Sequence, residues 1–104
     1  MRQGEIWVNN LKAGILTEDE TGYHFQYLQE YLAKEKSLPV SLTLPMQQDS
    51  FHSENLFPFF DGLIPEGWLL DVVHNNWKIN PRDRMGLLLT TCRNCIGNIS
   101  VRSI

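Results

Sequence analysis

The sequence has no run of about 18 apolar residues, so no segment reads as a helix that could span a bilayer. Its opening Met-Arg-Gln-Gly-Glu carries none of the apolar stretch that a secretion signal requires, and the expected location is the cytoplasm. Basic residues are also scarce. Nine Lys and Arg stand against twelve Asp and Glu, the net charge is −3, and the cations are scattered singly. A chain that grips a phosphate backbone unaided needs a basic face, so direct nucleic-acid binding is excluded as its main role.

Catalytic signatures are missing as well. None of the seven glycines belongs to a phosphate-cradling loop, and no lysine and metal-binding acids follow one, which excludes a kinase or NTPase. There is no Gly-x-Ser-x-Gly elbow and no His-x-x-x-His pair, so the chain is not expected to be an enzyme or to carry a cofactor. Cysteine is limited to Cys92 and Cys95 in a Cys-x-x-Cys. A redox pair of this type sits between a strand and a helix, whereas Gly97 and a strand-like tail follow here. A zinc site would need two more ligands from His24, His52 or His74, none of which is spaced as a ligand pair. Reduced structural thiols are the expectation, and no metal site.

What the chain does have is enough for one domain. Its 104 residues are 42% hydrophobic, sufficient for a single core but not for two lobes and a cleft, so residues 1–104 are read as one unit. Apolar and polar residues alternate from Ile6 to Leu16 about Asn9-Asn10, a pair that tolerates the positive φ of a two-residue turn. The predicted hairpin pairs Val8 with Leu11 and Ile6 with Ala13. After a turn at Thr21-Gly22, Tyr23, Phe25 and Tyr27 alternate with His24 and Gln26 as a third strand, which makes His24 a polar face residue. Leu28 to Lys36 reads as a short helix or turn. Val40 to Leu44, bracketed by Pro39 and Pro45, reads as a short strand near a sheet edge, and Gln47 to Ser53 as loop.

The second half turns helical. Asn55 is the expected cap of a helix with Leu56, Phe57, Phe60 and Leu63 on its apolar face and Pro58 in its first turn. Pro65-Glu66-Gly67 breaks it, and Leu69, Val73 and Trp77 mark a second helix. Asn80-Pro81-Arg82-Asp83 opens a third, with Met85, Leu88 and Leu89 as its buried stripe and Asp83 placed to meet free N–H groups. Asn98 to Arg102 alternates like a final strand. The fold class is α+β: a small, mostly antiparallel sheet of the hairpin, the third strand, the strand near 40–44 and the C-terminal strand, with about three helices in the second half.

One segment stands apart. Phe57 to Leu70 packs four bulky aromatics and two helix interruptions into 14 residues. Helical spacing sends Phe60 and Leu63 to the core but leaves Ile64, Pro65, Glu66, Gly67 and Trp68 at a helix junction, where a side chain can project. Trp68 either closes the core from above or anchors a partner, tryptophan being the type most enriched among interface hot spots.

The Trp7–Leu16 hairpin, Val40-Ser41-Leu42-Thr43-Leu44-Pro45, Phe59-Phe60-Asp61-Gly62-Leu63-Ile64-Pro65-Glu66-Gly67 and the closing Gly97-Asn98-Ile99-Ser100-Val101 together resemble the N-terminal subdomain of HipA-type toxin kinases. In that family the subdomain precedes a Ser/Thr kinase body, and the fused protein pairs with a helix-turn-helix antitoxin that binds DNA. A free-standing copy resembles the small antitoxin of tripartite hip systems. The resemblance implies an antitoxin that binds and inhibits a separate HipA-like kinase toxin (HipT-type) through Ile64, Pro65, Glu66, Gly67 and Trp68, with a helix-turn-helix protein (HipB-type) in a larger complex. The alternative it implies is a non-inhibitory subunit that completes the kinase fold or bridges it to the DNA-binding partner.

Overall fold

Asn9 and Asn10 have φ of 51° and 66°. These left-handed values make a tight turn whose twist matches the strands it joins, β1 (Arg2–Val8) and β2 (Leu11–Asp19). The structure, a computed structural model, describes residues 1–34, 37–64, 82–91 and 98–104. Val8 faces Leu11 as the alternation predicts, but Ile6 faces Gly14 rather than Ala13, because the register shifts between Ile6 and Trp7. The extra residue is a β-bulge that buries Ala13 and Gly14 in succession. It also frees the Ala13 carbonyl to accept the Leu28 N–H at 2.9 Å, at the end of the third strand. Glycine is required beside the bulge: a Cβ on Gly14 would lie 2.5 Å from the Gln26 carbonyl oxygen and 2.9 Å from the Phe25 ring.

Three further strands complete the sheet: β3 (Gly22–Tyr27), β4 (Phe51–Ser53) and β5 (Ile99–Ser103). The order is β4-β3-β2-β1-β5 with every pairing antiparallel. Three short helices accompany it among the described residues: α1 (Gln29–Leu32), α2 (Pro58–Asp61) and α3 (Arg84–Thr91). The α+β class therefore holds. Ile6, Val8, Leu16, Phe25, Tyr27, Ile99 and Val101 turn one sheet face inward, where Tyr31, Phe57, Phe60, Leu63, Met85, Leu87 and Leu88 cover it. Phe60 is the hub of this layer, fully buried, with its ring centroid 5.3 Å from that of Phe25 and 5.3 Å from that of Phe59.

Two elements depart from the sequence pattern. The segment 40–44 is no strand of the sheet: only an isolated bridge joins Ser41 to Leu44, and the fourth strand is instead Phe51–Ser53, within the stretch expected to be loop. The cause is a pair of tyrosine hydroxyls. Tyr27 Oη accepts the Val40 N–H at 3.0 Å and donates to the Leu44 carbonyl, so both ends of the turn are fixed by one buried group. Tyr31 Oη accepts the Leu38 N–H at 3.2 Å and donates to the Leu38 carbonyl at 2.5 Å. The two rings stack with their planes 8° apart. Backbone polar groups met by side chains in this way have no need of a sheet ladder.

The helices also start later than their patterns predict. Phe57 rather than Asn55 precedes the first turn of α2, without a side-chain cap, and Pro58 takes the first helical position. In α3 the cap is Asp83 itself, whose Oδ1 accepts the Gly86 N–H at 3.1 Å. The buried stripe of α3 is Met85, Leu87 and Leu88, with Leu89 packed at its margin. The second helix expected around Leu69–Trp77 lies outside the described residues, as do Cys92, Cys95 and His74.

Candidate partner-binding site

α2 and the residues just after it frame the candidate site. Asp61 Oδ1 accepts from Arg84 Nε at 2.6 Å, joining the end of α2 to the start of α3. The neighbouring Asp83 takes both terminal nitrogens of Arg2, at 2.8 and 2.7 Å, and Arg2 Nε also donates to Glu18 Oε1 at 2.7 Å. The two-pronged bond from Arg2 holds the Asp83 carboxyl below the usual aspartate range, against the opposing effect of its partial burial. Adjacent residues Asp83 and Arg84 thus tie α3 to the sheet on one side and to α2 on the other.

Beside this brace runs an apolar groove of about 520 Å³. Leu38, Pro39 and Val40 form one wall; Pro58, Phe59, Gly62 and Leu63 form the other, and Asn98 and Ile99 close the end. Of the five residues expected to contact a partner, the structure places Ile64 in the core at 8% exposure, its N–H donating to the Asp61 carbonyl at 3.2 Å. Ile64 is thus the buried root of the segment. Pro65, Glu66, Gly67 and Trp68 lie outside the described residues. No pattern in the sequence indicates that Leu38 to Val40 line the same groove as Phe59 and Leu63. That juxtaposition depends on the tyrosine clamps, whose only trace in the sequence is an aromatic pair four residues apart.

The polar groups elsewhere form local links. His24 faces Asp19 at 3.1 Å and Thr21 Oγ1 at 3.1 Å, and its ring lies 4.7 Å from that of His52 on the neighbouring strand. Among the described residues no three His, Cys, Asp or Glu side chains converge on a metal-ion position. On the outer sheet face the Arg102 guanidinium lies 4.1 Å from the centroid of the Trp7 ring. No described helix is long and apolar enough to cross a membrane.

The family model for the HipA N-terminal domain matches residues 4–102. The chain belongs to the HipA N-terminal domain family. Over its whole length it is similar to a solved structure of the N-terminal domain of HipA toxin, with a TM-score of 0.77, 34% identity and 93% of that chain covered. A small uncharacterized protein of Haemophilus influenzae is 34% identical over 102 residues, which span 98% of this chain and 92% of that protein. The putative kinase Y4mE of Sinorhizobium fredii is 36% identical over 84 residues, which span 80% of this chain but only 20% of Y4mE. The HipA N-terminal domain therefore occurs in two settings: as nearly all of a small protein, and as a fifth of a much larger one. Both the family model and the solved structure that this chain matches are of the HipA N-terminal domain.

Proposed function

We propose that this chain is an antitoxin that binds and inhibits a separate HipA-like Ser/Thr kinase toxin. The observation that carries the reading is the pair of settings just described, since the same HipA N-terminal domain is a fifth of the putative kinase Y4mE and nearly all of the small Haemophilus protein. A domain that packs against a kinase body within one chain keeps a complementary surface when it is encoded separately, and its packing then becomes a concentration-dependent association. The chain itself is non-enzymatic and acts in the cytoplasm. A helix-turn-helix protein joins the complex and supplies the DNA contact, for which a chain of net charge −3 is poorly suited.

Within this reading Pro65, Glu66, Gly67 and Trp68, which follow the buried Ile64 in the chain, face the kinase. Trp68→Ala should weaken kinase binding by roughly 2 to 4 kcal/mol, about 30- to 1000-fold, with the melting temperature unchanged. If Trp68 instead closes the core, the same change costs on the order of 3 to 5 kcal/mol of stability. Calorimetric titration into the kinase and a thermal melt on this one variant separate the two roles.

A further inference from the structure

The loop from Ser37 to Gln48 contains no charged residue, and at its tip Leu42 is 95% exposed. Leu38 and Met46, four residues to either side, are 55% and 38% exposed. The loop is nonetheless tightly held. Besides the Tyr27 and Tyr31 hydroxyls at Val40, Leu44 and Leu38, Ser41 Oγ accepts the Thr43 N–H at 3.2 Å and lies 3.0 Å from Thr43 Oγ1. Four side chains therefore order a turn whose central leucine buries nothing in this chain. Ordering a loop costs conformational entropy, and rigidity gained before binding is entropy that association need not spend.

We propose that Leu42 is a preformed apolar anchor that seats in a pocket of the HipA-like kinase body, with Leu38 and Met46 beside it. This rests on the antitoxin reading and names a second contact for the same partner. The occupant is argued from three observations. Leu38 lies both on this loop and in the lining of the apolar groove that Phe59 and Leu63 also line, so the loop and that groove share one surface. The loop offers no charge, and so fits an apolar partner surface rather than a polyanion or an ionic patch. In Y4mE the domain is a fifth of the chain, so a large remaining body is present there to cover it.

The test uses the full chain and the HipA-like kinase from the same genome. Leu42→Ser should weaken binding about 10- to 100-fold by calorimetry, and Leu42→Met, which keeps an apolar side chain, should hold affinity within about threefold of the parent. Both variants should melt with the parent, because Leu42 touches solvent. Parental affinity in Leu42→Ser overturns the anchor while leaving the antitoxin reading intact. A lowered melting temperature overturns it too, by showing that Leu42 acts through the fold. Self-association of the free chain that Leu42→Ser abolishes would assign the anchor to a second copy and not to the kinase. Failure of the parent chain to bind the kinase at all removes the antitoxin reading, and the anchor with it.

Discussion

Arg84 Nε donates to Asp61 Oδ1 at 2.6 Å, a bond between residues 23 positions apart that fixes the end of α2 against the start of α3. The side chains are 38% and 42% exposed, so the pair is well hydrated and orients more than it stabilises. A double-mutant cycle with Asp61→Asn and Arg84→Gln should give a coupling of about 0.2 to 1 kcal/mol, shrinking in high salt. A coupling of several kcal/mol would mean that the brace is a main support of the fold.

Asp83 makes a pH prediction. Its folded-state pKa lies below the ordinary value of 3.8 because Arg2 binds the charged form. The stability that this contributes is fully present above the unfolded-state value and is lost as pH falls through the lower folded value, in the region below about pH 4. Asp83→Asn should therefore flatten the acid limb of the stability curve, and melts at intervals between neutral pH and pH 2 check it. An acid limb that keeps its slope would show that other carboxylates govern it.

Tyr27→Phe keeps the ring packing but removes the hydroxyl that serves both Val40 and Leu44. Two backbone groups on buried residues then lose a partner, with an expected cost of about 1 to 3 kcal/mol. Denaturant unfolding measures it. Tyr31→Phe should cost less, since Leu38 is exposed and water can replace the hydroxyl there.

The contrast between these loops and the hairpin shows what the sequence makes legible. Alternation and Asn9-Asn10 determine β1, β2 and their turn, because these are local effects. The bulge at Ala13 is not local: it follows from Gly14 passing close to Phe25 and Gln26 on the next strand. Val40 to Leu44 alternates as a strand does, yet the Tyr27 hydroxyl from β3 holds both of its ends, and no pattern within the segment records that. β4 has the opposite problem, as Phe51-His52-Ser53 carries little strand signal and is recruited by pairing with Tyr23, His24 and Phe25. For the candidate site, the sequence marks the Phe57–Leu70 segment by its aromatics and helix breaks. The opposite wall of the groove and the Leu42 tip become visible only once the tyrosine clamps are seen.

The most direct test of the antitoxin reading is a phosphorylation assay with the purified HipA-like kinase, ATP and increasing amounts of this chain. Phosphorylation should fall to background as the chain saturates the kinase, with half-inhibition near the dissociation constant of the complex. Full phosphorylation at saturation, with the complex demonstrably formed, would contradict inhibition and make the chain a subunit that binds the kinase without restraining it.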